Sequence, residues 1–481
     1  MAETAVPEIT PSVVTGGPVD LSRVHFVGMG GMGMLPVARV CAERGFTVSG
    51  SDTRTSEGLE VLAGLGVTVH VGHGAAQVPP NTSAVVFTHA VGEDNPEICE
   101  ARRTGVPVVH RSAVLDALMA GRTAIGVLGT HGKSSTAAMM VFALRRMGQS
   151  PSYMVGADLD GPATGGRAGR GGLFVAEIDE SDRTHIGTGL SVAVLTNISH
   201  DHPENYASPV DHVDAYEACV RGMRPGSTVV LNTDSPGCRA LASRLATAES
   251  GLRMVTYGQS SSADWRLTDM VSAGGSSSAV VRGPGGLEFD LALPVVGVHQ
   301  LLNAAGALAA LHAAGQGCFA VHHLGFFHGV RRRMSPAGEA AGVRVYDSYA
   351  HHPDEVTADL AAAYTLVGEQ DRVLVVFQPS DQARLDAFGA EFGRALAGCD
   401  GVVLTGNARS VEERSLRALA GFVGAAGGTV VAAERARAEA VVWAADAARP
   451  GDVVVLMGTG DLIESGPVLR AALSELIAAA V

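Results

Sequence analysis

The stretch with the most specific chemistry is Gly129-Thr-His-Gly-Lys-Ser-Ser-Thr136, set between the apolar runs Thr123–Leu128 and Ala137–Phe142. That order predicts a buried strand, a tight glycine turn and a helix start. Backbone N–H groups in such a turn converge on one point, and the helix N-terminus adds positive potential there. Phosphate oxygens are the natural occupant. Lys133 would reach the β/γ-phosphates and Ser134 would offer its hydroxyl to Mg²⁺. Lys133 is the only lysine among 481 residues; every other strong cation is arginine. A compact ammonium at this one place suits a phosphate better than a planar fork does. A packing turn with a chance lysine would not account for the agreement of turn, lysine, hydroxyls and flanking elements. The turn is shorter than the full G-x-x-x-x-G-K-[ST] pattern, with Val127 ahead of Gly129, which points away from an ordinary GTPase or motor.

A second glycine turn, Gly28-Met-Gly-Gly-Met-Gly33, follows the apolar run Arg23–Val27. A further run, Thr47–Ser51, ends at Asp52, 19 residues after Gly33. In a βαβ setting this reads as dinucleotide binding with Asp52 on a ribose hydroxyl, although the same turn suits any nucleotide diphosphate. A glycine turn needed only for packing is the plainer alternative. Two more polar clusters end apolar runs: Glu177-Ile-Asp-Glu-Ser-Asp182 after Leu173–Ala176, and Asn197-Ile-Ser-His-Asp-His202 after Val192–Thr196. Open α/β sheets place ligands at the carboxyl ends of their strands. Glu177 and Asp179 supply hard oxygens for Mg²⁺, and His202 is a candidate ligand for a second, softer site. No Ser-His-Asp spacing stands out. The chain offers a triphosphate site, a metal and a second diphosphate pocket, which suits direct phosphoryl transfer governed by positioning and charge neutralisation.

These residues need elements to hold them. Alternating apolar runs and helical stretches predict an α/β fold of three units, each built on a mostly parallel sheet. Residues 1–20 read as a loose tail, 21–122 as a unit with the dinucleotide-type glycine turn, 123–332 as a central P-loop unit and 333–481 as a third α/β unit. The glycine-rich stretch 161–172 reads as a flexible insertion, and 253–295 as an antiparallel flap. The third unit expects strands at Val343–Tyr346, Val373–Phe377, Val402–Leu404 and Val453–Met457.

Composition narrows the class. The apolar fraction of 46% is ample for several cores, and the net charge of −14 argues against a basic surface for nucleic acid. Six scattered cysteines without a C-x-x-C pair fit a reducing compartment and neither zinc nor a disulfide framework. The N-terminus lacks the charge and apolar core of a signal peptide, and no run reaches transmembrane length. The expectation is a cytoplasmic protein, monomer or dimer, with small-molecule substrates and no membrane partner.

The order of motifs resembles the Mur ligases over about residues 21–475, and the resemblance implies their three-domain α/β architecture: a Rossmann-like N-terminal domain (21–122), a central P-loop ATPase domain (123–332) and a C-terminal Rossmann-like domain (333–481). The elements that carry it are Phe26–Met34 with Gly50-Ser-Asp52, Asp94–Glu97 and His110-Arg-Ser112. The central stretch adds Gly129–Ser134, Ala176-Glu177, Asp179–Asp182, Thr196-Asn197 and Asp201-His202. Later come Gly297, His299 and Asn303, Gly329-Val330, Arg332-Arg333, Asp347, Tyr349–Pro353, Phe377–Pro379, Met457-Gly458 and Gly460-Asp461. The resemblance implies ATP-dependent amide formation: a carboxylate is phosphorylated to an acyl phosphate, which an amine then attacks. It implies a UDP-bearing substrate on Gly28, Gly30, Gly31 and Gly33 with Asp52, His110, Arg111 and Ser112. ATP would lie on Gly129, Thr130, His131, Gly132, Lys133, Ser134 and Ser135, with His299, Asn303, Arg332 and Asp347. Ser134, Glu177 and His202 would hold Mg²⁺. Lys133, Glu177, His202 and His351 would carry the catalysis, with Tyr349, His351 and Arg384 on the acid and amine substrates. A carbamylated lysine, used by some members, has no lysine here except Lys133.

The sequence also departs from the pattern. Where the alanine-adding members continue His-Arg-x-Ser-Arg after Phe377-Gln-Pro379, this chain has Ser380-Asp-Gln-Ala-Arg384, so that one cation remains and Asp381 is added. Gln300 replaces the usual Asn, Val298 a common Arg, and His89 a usual Ser. A charge reversal beside an anionic substrate costs binding unless the substrate differs. Two readings follow: the peptidoglycan-precursor ligase, or a paralogue joining another acid and amine in which Asp381 pairs with a cationic amine substrate. An NAD(P)-dependent oxidoreductase using Gly28–Gly33 would leave the P-loop unexplained, and a silent nucleotide-binding regulator would not need Lys133, Glu177 and His202.

Overall fold

The computed structural model describes residues 19–159, 161, 164–181, 189–246, 251–406, 411–434 and 436–480. The expected loose tail, apart from residues 19 and 20, and Asp182 of the acidic cluster lie outside them. The chain divides into two compact units: Met1–Ile125 with Gln149–Glu177 and Gly187–Leu190, and Gly126–Gly148 with Ile178–Ile186 and Ser191–Val481.

The first unit holds a parallel five-stranded sheet: β1 (Arg23–Val27), β2 (Thr47–Asp52), β3 (Thr68–Val71), β4 (Ala84–Phe87) and β5 (Val108–His110). The order is β3-β2-β1-β4-β5, so the topology switches beside β1. The Gly28–Gly33 turn leaves β1 at that switch, where such sheets bind ligands. Val24, Phe26 and Val27 are buried, as a parallel strand covered on both faces requires. Strand β5 passes directly into the helix Arg111–Met119, capped by the His110 ring, which accepts from Ser112 N.

Strand β6 (Thr123–Leu128) runs from the first unit into the second. The first unit also contains β7 (Ser152–Met154), β8 (Gly166–Arg167) and β9 (Leu173–Glu177). Here β7 pairs parallel with β9 and antiparallel with β8. The expected flexible insertion is therefore partly built structure. A Cβ on Gly166 would stand 2.4 Å from Pro36 O, and one on Gly169 2.2 Å from the Pro151 backbone. These glycines permit close approach of chain to chain, a need that composition does not separate from looseness.

The second unit continues with β10 (Val192–Leu195), β11 (Thr228–Asn232), β12 (Arg253–Gly258), β13 (Trp265–Ala273), β14 (Ser276–Gly283) and β15 (Leu287–Leu293). Their order is β15-β14-β13-β12-β11-β10, with β6 beyond β10. The expected flap is only half antiparallel: β12 pairs parallel with both β11 and β13, and β13–β15 form the antiparallel hairpins. The alanine-rich helix Val298–Ala313 packs against the helix Lys133–Arg146.

The third sheet comprises β16 (Arg333–Ala340), β17 (Val343–Ser348), β18 (Val373–Gln378), β19 (Gly401–Thr405), β20 (Val430–Glu434) and β21 (Val453–Gly458), ordered β16-β17-β21-β18-β19-β20. All pairs are parallel except β16–β17. The four expected strands are its centre. The two missed ones are its edges, and β16 carries Pro336 and Gly338 at register shifts, which hide a strand from pattern reading. Among the described residues no helix is long and apolar enough to cross a membrane.

Candidate active site

The phosphate-type turn sits where β6 meets the helix Lys133–Arg146. Gly129 has φ +119° and Gly132 φ +78°, and a Cβ on them would meet Thr196 Oγ1 at 2.3 Å and Asn303 Oδ1 at 2.4 Å. Both glycines are thus required by backbone and by space. The turn is clamped from the end of β10. His131 N donates to Asn197 Oδ1 at 2.9 Å, and Asn197 Nδ2 and Thr196 Oγ1 donate to His131 O at 2.9 and 2.5 Å. Lys133 Nζ donates to Gly129 O at 2.7 Å, Thr130 O at 3.1 Å and Glu180 Oε1 at 2.8 Å. Glu180 is buried; burial raises its carboxyl and Lys133 opposes that.

A cavity of about 240 Å³ opens beside this turn, lined among others by His131, Ser135, His299, Asn303, Arg333, Glu355 and Asp359. The structure therefore joins the turn to the expected His299 and Asn303. It also adds Glu355 and Asp359, one turn apart on the helix Pro353–Tyr364, which sequence reading missed. Their i, i+4 spacing directly after His351-His-Pro353 was the available signal. Burial pushes the His299 imidazole down to about 4, so it is neutral at pH 7. Arg333 faces Glu355 at 3.6 Å and donates to Ser134 Oγ at 3.4 Å. The guanidinium of Arg332 lies 4.5 Å from the Tyr349 ring centroid and donates to Gly458 O at 3.1 Å. Asp347, beside it, is pushed up to about 6 by burial.

Asp359 accepts from Ser348 Oγ at 2.5 Å, and burial pushes it up to about 7. An ordinary carboxyl titrates near 3.9, so between about pH 4 and 7 the folded chain holds a proton that the unfolded chain has released. This group therefore supports the fold below pH 4 and withdraws that support as pH rises through 7. Asp359→Asn is expected to stabilise the protein at pH 8 by about 1–3 kcal/mol and much less at pH 5. Denaturant melts at the two pH values check it; equal shifts at both would contradict the assignment.

A second cluster joins the ends of the second and third sheets. Arg384 Nε and Nη2 donate to Asp201 Oδ1 and Oδ2 at 2.8 and 3.1 Å, and Nη1 donates to Asp381 Oδ2 at 3.1 Å. Asp201 is buried, and Arg384 holds its carboxyl well below the usual range against the cost of burial. His202 Nε2 lies 3.2 Å from Arg384 Nη2, and its Nδ1 lies 3.1 Å from Glu204 Oε1. Burial would lower its pKa, but Glu204 and Asp201 outweigh burial and raise it. His351 Nδ1 lies 2.9 Å from Tyr349 O, and its backbone N–H donates to Glu355. Asp381 corrects an expectation. It does not stand free for a cationic substrate: it caps the helix Gln382–Leu396 by accepting from Arg384 N and from Ser380 Oγ.

In the first unit Gly28 has φ +74°, and Asp52 Oδ2 accepts from Gly30 N at 2.9 Å. Asp52 thus braces the glycine turn with one oxygen, a role that the ribose expectation did not include. Arg111 closes over Gly33, where a Cβ would stand 2.3 Å from its Nη1. Glu177 Oε2 accepts from Gly156 N at 2.6 Å. Beneath the turn Glu97, fully buried, accepts from Ser51 Oγ at 2.6 Å and Gly74 N at 3.0 Å and lies 3.2 Å from His25 Nε2. His73 Nδ1 stands 2.9 Å from the same Ser51 hydroxyl. This Ser–His–Glu grouping is invisible in sequence spacing, and its buried serine is no nucleophile: its proton is committed to a carboxylate.

Three family models match the chain in order: Mur ligase family, catalytic domain, over residues 23–123; Mur ligase middle domain over 127–311; and Mur ligase, glutamate ligase domain, over 332–460. The chain belongs to the Mur ligase family. Among relatives of this Mur ligase, the UDP-N-acetylmuramate–L-alanine ligase of Streptomyces griseus is 41% identical over 94% of this chain and 97% of its own. That of Mycobacterium tuberculosis is 41% identical over 95% and 96%. The crystal structure of the UDP-N-acetylmuramate–alanine ligase of Thermotoga maritima aligns with a TM-score of 0.76 at 27% identity, over 95% of this chain and all of that one. A murein peptide ligase of Psychrobacter arcticus, 20% identical with a TM-score of 0.71, shares the fold.

Proposed function

We propose that this Mur ligase joins the carboxylate of UDP-N-acetylmuramate to the amine of L-alanine, with ATP converted to ADP and phosphate. The observation that carries this reading is the 41% identity, spread over 94% of the chain, to relatives bearing that activity in their names. The carboxylate oxygen takes the γ-phosphoryl group of ATP, ADP leaves, the amine attacks the acyl carbon, and the tetrahedral intermediate expels phosphate. The turn 129–135 with His299, Asn303, Arg332 and Asp347 is proposed to hold ATP. Gly28, Gly30, Gly31, Gly33, Asp52, His110, Arg111 and Ser112 are proposed for the UDP end. Tyr349, His351 and Arg384 are proposed for the acid and amine, with domain boundaries near 122 and 332.

Mg²⁺ is the implied metal, with Ser134, Glu177 and His202 proposed as ligands on the strength of the motifs. Local chemistry fits a hard cation: Glu180 Oε2 is buried without a hydrogen bond, an oxygen left over beside the phosphate turn. When bound, Mg²⁺ neutralises phosphate charge. The chain's own part is positioning: Lys133 is steered by Glu180, and Arg333 is held between Glu355 and Ser134.

A second reading has one observation behind it. Asp381 and Asp201 both occupy Arg384, the one cation left in the 380–384 stretch. A paralogue with another amine is the corresponding alternative. A phosphate-release screen of all amino acids with UDP-N-acetylmuramate decides between them. L-Alanine is expected as the best amine. If another amine exceeds it about 10-fold or more, a gap that one mispaired polar contact can produce, the paralogue reading replaces the first.

A further inference from the structure

His131, His352 and Asp354 bring three ligand atoms together at the edge of the nucleotide-type cavity, and sequence reading gave this combination no role. The Nδ1, Nε2 and carboxylate atoms concerned lie within 4.8 Å of one another. His131 Nε2 stands 4.0 Å from Asp354 Oδ2, and His352 Nδ1 stands 3.8 Å from the same oxygen. The two rings lie 4.5 Å apart, centroid to centroid, tilted by 40°. Each imidazole is oriented through its other nitrogen. His131 Nδ1 faces Glu355 Oε1 at 3.4 Å, and His352 Nε2 lies 3.1 Å from His200 O. Oxygen acceptors at those positions keep the protons on Nδ1 of His131 and Nε2 of His352, leaving the facing nitrogens as lone pairs. His131 Nε2 is buried and makes no hydrogen bond. His352 Nδ1 accepts from Asp354 N at 3.2 Å as the N-cap of the helix Pro353–Tyr364, a bond that a cation at this lone pair would replace.

We propose that His131 Nε2, His352 Nδ1 and the Asp354 carboxylate form a binding site for a borderline divalent cation such as Zn²⁺. This site is separate from the Mg²⁺ ligands proposed at Ser134, Glu177 and His202. Two imidazole nitrogens and one carboxylate suit Zn²⁺ or Co²⁺ better than Mg²⁺, which prefers an all-oxygen shell. Backing of each histidine by an oxygen acceptor is the outer-shell arrangement that metal-ligating histidines use. His131 and Asp354 line the cavity, so remaining positions open toward water or a bound anion. Closing the three atoms onto one ion requires side-chain movement of about 1 Å, given metal–ligand distances near 2.0–2.2 Å.

The test is titration of the full-length protein with Co²⁺ without nucleotide, followed by visible d–d absorption, with Zn²⁺ calorimetry in parallel. One equivalent is expected to bind the wild type, and His202→Gln is expected to leave it in place. Asp354→Asn changes a mostly exposed side chain and preserves the fold; it and His352→Gln are each expected to weaken binding about 10-fold or more. Absence of tight binding, indifference to both substitutions, or loss in His202→Gln instead would each overturn the proposal.

Discussion

Lys133→Arg is expected to lower turnover about 10²–10³-fold, the usual cost of losing one preorganised electrostatic contact to the transition state, because the charge is kept but misplaced. The reason is geometric as well as electrostatic. The ammonium fits among Gly129 O, Thr130 O and Glu180 Oε1 at 2.7–3.1 Å, with little of the side chain exposed. A guanidinium is planar and larger and cannot place a point charge there. Lys133→Ala carries a second cost, because it leaves buried Glu180 without its cation. That carboxyl, already raised by burial, then takes up a proton. The double variant Lys133→Met with Glu180→Gln separates the two effects: stability is expected to return while turnover stays low. Full ligase activity in Lys133→Arg, with an unchanged melting curve, would remove the lysine from the chemistry.

Asp201→Asn is expected to cost about 3 kcal/mol of stability at pH 7, because it removes the buried bidentate partner of the Arg384 guanidinium and leaves it only the partly exposed Asp381. The pair is bidentate at 2.8 and 3.1 Å, and the Arg384 side chain is only 10% exposed, so solvent screens it little. Converting both partners, Asp201→Asn with Arg384→Gln, is expected to recover much of that loss, since neither partner is then left charged and alone. The folded carboxyl titrates below the unfolded value near 3.9. Its stabilisation is therefore complete above about pH 4 and disappears as pH falls through the lower folded value. Urea melts between pH 2.5 and 7 read this directly. A loss below about 0.5 kcal/mol in Asp201→Asn, typical of a surface change, would show that the pair is not holding the third sheet's helix to the second.

What the sequence made legible followed from short-range rules. The two glycine turns, the buried parallel strands and the acids at their ends are local patterns, and β1, β2, β6, β9, β17, β18 and β21 lie where apolar runs placed them. The edges were illegible because β16 interrupts its pattern with Pro336 and Gly338, and β8 is only Gly166–Arg167. In the site, residues within one motif were readable, and pairings across the chain were not. No spacing rule links Arg384 to Asp201, Lys133 to Glu180, or Glu355 to His131. Asp381 shows the consequence. Its charge was visible, but its use as a helix cap depended on a backbone angle and on Arg384 N at 2.8 Å.

Activation of the UDP-N-acetylmuramate carboxylate by ATP, followed by capture by L-alanine, leaves an isotopic record in the products. The most direct measurement supplies that acid with ¹⁸O in its carboxylate, together with ATP and L-alanine, and analyses both products by mass spectrometry. The expected products are UDP-N-acetylmuramoyl-L-alanine and inorganic phosphate carrying one ¹⁸O atom, because the acyl–phosphate oxygen leaves with phosphorus. Phosphate free of ¹⁸O, or phosphate release without the amide product, would contradict that activation.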